Sequence, residues 1–193
     1  MELSPQLIEV EVPDAAEAAV LVLHGGASRR GDMRVSPTQL SVLRMVPIAR
    51  TIASAGKGRL AVYRLLNSRR GWDATHTPVH DARWALERIG LRPVGVVGHS
   101  LGGRAALLLG PEVDSVVALN PWVYPDDGRR LPPGRALVVH GTDDRVASPQ
   151  RALAVARRTG AEFLAVEGGK HAMLSQSGDF LRPTVEWLLD TLL

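Results

Sequence analysis

Seven short stretches of the chain are rich in apolar residues, and polar segments containing glycine or proline separate them. IEVEV (8–12) alternates apolar and charged positions with a period of two, the pattern of a strand with one face in the core. AVLVLH (19–24), LAVYRLL (60–66), VGVVG (94–98), SVVALN (115–120), ALVVH (136–140) and FLAVE (163–167) are mostly continuous apolar runs. Runs of that kind suit parallel strands buried on both faces. The stretches between them have helical punctuation. PIARTIASAG (47–56) opens on proline and stops at glycine, and LGGRAALLLG (101–110) follows the fourth run directly. TPVHDARWALERIG (77–90) predicts Thr77 as N-cap, Pro78 at the first helical position and Gly90 at the end. SPQRALAVARRTG (148–160) repeats this with Ser148, Pro149 and Gly160. In DFLRPTVEWLLDTLL (179–193), Pro183 predicts a kink or a delayed start, because it has no N–H to donate and clashes with the preceding turn.

Strands alternating with helices imply an α/β fold, a mostly parallel doubly wound sheet with helices on both faces. At 193 residues, with 45% hydrophobic and 22% charged positions, the chain is expected to bury one core as a single domain over 1–193. In such a sheet ligands bind beyond the carboxyl ends of the strands, so the informative loops are those that follow strands.

One of these loops carries Gly98-His99-Ser100-Leu101-Gly102, between a predicted strand and a predicted helix. The pentapeptide matches G-x-S-x-G, in which a serine occupies a sharp, strained strand-to-helix turn. Glycine at the flanking positions removes the Cβ atoms that would strike neighbouring backbone. The hydroxyl then projects above the sheet at a helix N-terminus, where the dipole favours developing negative charge.

With this motif in its strand–turn–helix setting, the chain resembles the α/β-hydrolase superfamily over nearly its whole length. The resemblance implies a cap-less fold, because PWVYPDDGRRLPPG (121–134) is too short for the helical cap that many relatives insert there. It also implies a chain order of nucleophile, acid, histidine. Ser100 matches the nucleophile, HGTDDRV (140–146) looks like the acid-bearing segment with Asp144, and GGKHAM (168–173) looks like the histidine loop with His171. Asp143, Asp126 and Asp127 remain alternatives for the acid. The expected oxyanion donors are the N–H of Leu101 and one from HGGA (24–27), with Gly26 first and Ala27 next. The nearest groups are dienelactone-hydrolase-like and other compact esterases. Dienelactone hydrolases use a cysteine nucleophile, however, and this chain has no cysteine. The implied activity is a serine hydrolase acting on a carboxylic ester or thioester. A binding protein or an acyltransferase on the same fold is the alternative.

Other features adjust this picture. His24, His99 and His140 each end a strand beside glycine and are expected to support loops. His76 and His80 have metal-ligand spacing, but Pro78 lies between them and no carboxylate or cysteine completes a ligand set, so no metal or cofactor is expected. Trp122 and Tyr124 are candidate substrate-site walls, or surface packing of a proline-rich loop. The formal charge is +3, and only Lys57 and Lys170 of the 23 cationic residues are lysine. The doublets Arg29-Arg30, Arg69-Arg70 and Arg129-Arg130 fall in loops predicted at the carboxyl edge. They form either a cationic rim for an anionic substrate or an ordinary solvated surface. With 4% aromatics and no basic stripe, no nucleic-acid partner is expected. No apolar run approaches the roughly 18 residues of a membrane span. MELSPQLIEV lacks the basic flank and apolar stretch of a secretory signal, so the expected location is the cytoplasm.

Overall fold

In the computed structural model, which describes residues 3–26 and 33–193, the seven apolar stretches pair into one sheet. The strands are β1 (Gln6–Glu11), β2 (Ala18–Leu23), β3 (Leu60–Leu66), β4 (Val94–His99), β5 (Ser115–Leu119), β6 (Ala136–Gly141) and β7 (Glu162–Val166). Their spatial order is β1-β3-β2-β4-β5-β6-β7, and only the β1–β3 pairing is antiparallel. The period-two stretch is therefore the antiparallel edge, and the continuous runs β2, β4, β5 and β6 are buried along their whole length. β7 departs from expectation. As the other edge strand it has one neighbour, and most of it is exposed or half-buried despite its apolar sequence.

Alternate residues of each strand feed two cores. Ala19, Leu21 and Leu23 of β2 pack with α3 (Thr77–Ile89), α4 (Leu101–Leu109) and α5 (Pro149–Thr159) on one face. Ala18, Val20 and Val22 pack on the other face with α2 (Met45–Gly56) and α6 (Ser177–Leu192). A short helix, α1 (Leu40–Leu43), leads into α2. Between β5 and β6 there is no helix, so nothing forms a cap over this edge.

Three helix starts differ from the sequence reading. α2 begins at Met45, because the missing N–H of Pro47 falls in the first turn, where no intrahelical partner exists. Thr77 does not cap α3: it is the first helical residue, and His76 precedes it in the left-handed conformation with φ 57°. The cap comes from Asp73, which accepts from the Thr77 N–H at 2.9 Å and from its hydroxyl at 2.5 Å. α6 does not start after Pro183 but runs from Ser177 through it, held by Phe180 and Leu188, which are fully buried against the sheet. Ser148 does cap α5, accepting from the Arg151 N–H.

The parallel strands bring the functional loops to one edge. Leu23, the last residue of β2, is paired with Gly98, and His99 with Leu119, so β2, β4 and β5 end level with one another.

Candidate active site

Ser100 lies between β4 and α4 with φ 57° and ψ −118°, a conformation unfavourable for any residue with a Cβ. The chain can turn this sharply because the residues two positions either side, Gly98 and Gly102, have no side chains. A Cβ on Gly98 would overlap the Gly102 carbonyl, with the Gly103 nitrogen only 2.7 Å away. A Cβ on Gly102 would lie 2.5 Å from the Leu23 carbonyl oxygen and 2.7 Å from that of His24. The two glycines thus serve different contacts, one inside the turn and one between α4 and the end of β2.

His171 and Asp144 reach Ser100 from separate strands. β6 ends at Gly141, where a Cβ would overlap the Gly169 carbonyl, so the segments bearing Asp144 and His171 touch at the main chain. His171 Nε2 lies 3.1 Å from Ser100 Oγ, and its Nδ1 lies 2.7 Å from Asp144 Oδ2. A carboxylate can only accept, so Nδ1 carries the proton, and Nε2 of the neutral ring is free to accept from the serine. The Asp144 side chain is fully buried. Burial works to raise its pKa. Hydrogen bonds from His140, His171 and the N–H groups of Ala147 and Val146 outweigh burial and hold it far below the usual carboxylate range.

The three alternative acids are elsewhere. Asp143 is exposed, Asp126 is exposed beside a different cleft, and Asp127 is buried in an ion pair with Arg104.

Around this line of contacts, His99 and Asn120 hold the histidine loop and His140 holds the acid loop. His99 is 1% exposed and donates from Nε2 to the His171 carbonyl at 2.8 Å, its ring 4.8 Å from that of His171. Burial pushes its pKa down to about 3, so the ring stays neutral. Asn120 donates from Nδ2 to the carbonyls of Lys170 and His171, at 3.2 and 3.3 Å, and accepts from the Gly141 N–H. His140 lies 3.4 Å from Asp144 Oδ2, with its Nε2 also donating to the Ala147 carbonyl. His24 accepts from the Asn67 N–H through Nε2, so it supports the loop after β3.

Ser100 opens onto a cavity of about 630 Å³. Gly25, Gly26 and Leu101 line it. Leu101 is the first residue of α4, where a backbone N–H has no intrahelical partner and can donate to a ligand. Gly25 stands against Ser100, since a Cβ there would be 3.0 Å from the serine Cβ. Ala27, the second choice for a donor, lies outside the described residues.

Trp122 and Tyr124 both line the cavity, in an edge-to-face pair with centroids 5.0 Å apart, and the Trp122 N–H donates to the Ser100 carbonyl. Sequence reasoning missed their partners. Arg104, one turn after Ser100 on α4, is buried and donates to both carboxylate oxygens of Asp127, at 2.7 and 2.9 Å. Its guanidinium lies 4.1 Å from the Trp72 ring and 4.7 Å from the Tyr124 ring. Asp127 in turn accepts from the Tyr124 N–H. The signal was available, as Arg104 is the single charge in the otherwise apolar LGGRAALLLG.

Of the three arginine doublets predicted at the carboxyl edge, the two among the described residues do not line this cavity. Arg129 borders a separate cleft and Arg69-Arg70 are absent from the lining, while Arg29-Arg30 lie outside the described residues. Among the described residues, Arg44 and Arg104 are the arginines that line the cavity.

No family model matches the chain, and no curated protein does. Solved structures do. Est1E from Butyrivibrio proteoclasticus superposes with a TM-score of 0.68 at 12% identity, covering 97% of this chain and 93% of that one. XC6422 from Xanthomonas campestris, described as an α/β serine hydrolase without lid, gives 0.68 at 17%, covering 97% and 88%. SOBER1 from Arabidopsis thaliana gives 0.65 at 20%, covering 91% and 99%. The chain has the α/β-hydrolase fold. Within that α/β-hydrolase fold it is a lidless version, since the β5–β6 connection holds only the loop of Trp122, Tyr124 and Asp127. Among the described residues no helix is long and apolar enough to cross a membrane.

Proposed function

We propose that this chain is a serine hydrolase that cleaves a carboxylic ester or thioester of a small substrate through an acyl-enzyme on Ser100. The observation that carries the reading is the unbroken line of contacts from Ser100 Oγ through His171 to the buried carboxylate of Asp144. A serine hydroxyl is a weak nucleophile at neutral pH and needs a base to take its proton as it attacks. His171 Nε2 takes that proton while Oγ bonds to the carbonyl carbon, and the carbonyl π electrons move onto oxygen. Asp144 stabilises the resulting imidazolium and holds the ring orientation. The N–H groups of Leu101 and Gly26 are the proposed donors to the oxyanion. Collapse of the tetrahedral intermediate breaks the bond to the leaving alkoxide or thiolate, which takes the proton from His171. Water, activated by the same histidine, then adds to the acyl group and regenerates Ser100.

The walls favour a flat or apolar group next to the scissile bond, because Trp72, Trp122 and Tyr124 line the cavity. Est1E, which shares the fold, has been seen with ferulic acid, an aromatic carboxylic acid, bound. The reading is tested by fluorophosphonate labelling and by turnover of p-nitrophenyl esters. Covalent capture that disappears in Ser100→Ala, with turnover falling at least about a thousandfold, is expected. Wild-type protein that neither labels nor turns over any ester would leave a binding protein on this fold.

A further inference from the structure

Among the described residues two arginines line the cavity, and one of them is already committed. Arg104 is neutralised by Asp127 and held between Trp72 and Tyr124. The side chain of Arg44, at the junction of α1 and α2, has no ion-pair or hydrogen-bond partner among the described residues, and its Nε is buried from solvent without an acceptor. A buried donor without a partner is costly, which marks a position where an acceptor arrives with a ligand. Among the described residues the one carboxylate that lines the cavity, Asp73, is occupied by Thr75 and Thr77 at the start of α3. A second donor lies on the same wall. Ser41, one helical turn before Arg44, also lines the cavity, and its Oγ accepts from Gln39 Nε2 at 2.8 Å, which leaves its own proton to donate. Arg44 is also desolvated, which holds its pKa below the ordinary arginine value, and its charge is felt at His99 beside Ser100.

We propose that Arg44, with the Ser41 hydroxyl, receives a carboxylate carried by the substrate, which makes half-esters of dicarboxylic acids the favoured class. A guanidinium meets a carboxylate in a fork of two parallel hydrogen bonds, which a point-charge ammonium does not reproduce. This inference rests on the hydrolase reading and adds the substrate's charge to it. The aromatic walls and the cation then divide the work: the rings hold the body of the substrate, and Arg44 fixes its distal end.

The experiment compares kcat/KM for mono-p-nitrophenyl glutarate with that for its neutral terminal carboxamide, in wild type, Arg44→Gln and Arg44→Lys. The ratio of the two substrates is the readout, because it is unaffected by the fraction of protein that folds. The wild-type ratio is expected to favour the carboxylate, falling by about 10- to 100-fold in Arg44→Gln, with partial rescue in Arg44→Lys. A wild-type ratio near one, or a preference that survives Arg44→Gln, overturns the proposal. A terminal phosphonate preferred over the carboxylate overturns the assignment of the anion. Calorimetry on Ser100→Ala separates this inference from the hydrolase reading. Binding of glutaramate that is lost in Ser100→Ala/Arg44→Gln supports the carboxylate site even if no ester is turned over. Absence of binding together with absence of any charge preference sinks it.

Discussion

Gly102→Ala puts the geometry around Ser100 under direct strain. The added methyl would lie 2.5 Å from the Leu23 oxygen, 2.7 Å from the His24 oxygen and 2.9 Å from the Leu23 carbonyl carbon. Ordinary contact begins near 3.4 Å, so α4 and the end of β2 must separate by about 0.9 Å, the difference between 3.4 and 2.5 Å. Every atom in the way is main chain, so no rotamer change relieves the clash. β2 cannot retreat freely either, because Leu23 is paired with both Leu65 and Gly98. Overpacking of this kind costs about 1–3 kcal/mol, and an unyielding backbone places the expected loss at the upper end. For a chain of this size that lowers Tm by roughly 6–12 °C. The shift also moves Gly25 and Gly26 relative to Ser100, and a misplacement near 1 Å costs about 100-fold in reactivity. Differential scanning calorimetry and the rate of fluorophosphonate labelling read the two effects separately. Gly178→Ala is the control: nothing lies within 4 Å of its Cβ position in α6, and it is expected to stabilise by up to about 1 kcal/mol. A Gly102→Ala protein with wild-type Tm and wild-type labelling rate would refute the close-approach argument.

Two further outcomes follow from buried charges and their absence. Asp127→Ala leaves the Arg104 guanidinium buried without a counter-ion and is expected to cost about 3–5 kcal/mol in urea unfolding, much of it recovered in Arg104→Met/Asp127→Leu. A loss below about 1 kcal/mol would show that water reaches the site. His99 is neutral in the native state with its pKa down at about 3, against 6.5 for a free histidine side chain, so the unfolded chain takes up its proton first. Its contribution to stability is therefore complete above pH 6.5 and is lost as pH falls from 6.5 towards 3. At pH 5 the loss is about 2 kcal/mol relative to pH 8. His99→Gln, which retains a donor for the His171 carbonyl, should lose that much less between the two pH values. Equal acid losses in the two proteins would show that His99 is not the titrating group.

The alternation of apolar runs and glycine-ended helices was enough to specify a parallel α/β sheet, because burial on both faces leaves a continuous hydrophobic signature. β7 escaped that rule. Its sequence is as apolar as its neighbours', but a strand's place in the sheet order depends on long-range pairing, and β7 became an edge. Local signals at helix ends were similarly uneven. Ser148 is read correctly from its own neighbours, whereas the cap of α3 comes from Asp73, four residues before Thr77.

Ser100, Asp144 and His171 were legible as candidates, because a tight turn and a strand-end loop each impose local residue requirements. Of Asp126, Asp127, Asp143 and Asp144, it is Asp144 whose carboxylate meets the His171 imidazole, an arrangement that follows from the contact of Gly141 with Gly169 rather than from any local signal. The cavity's charge was legible only in part, since Arg104 stands out in an apolar helix but Arg44 does not. A doublet such as Arg129-Arg130 is conspicuous in the sequence but lies by another cleft, while Arg44 is an unremarkable residue that the folding of α1 and α2 places beside Ser100. Sequence alone thus determined what depends on neighbours along the chain: strand, helix, and the small residues of the serine turn. Which polar groups share one desolvated space was decided by tertiary structure, because electrostatic and hydrogen-bond partners are chosen by distance in space.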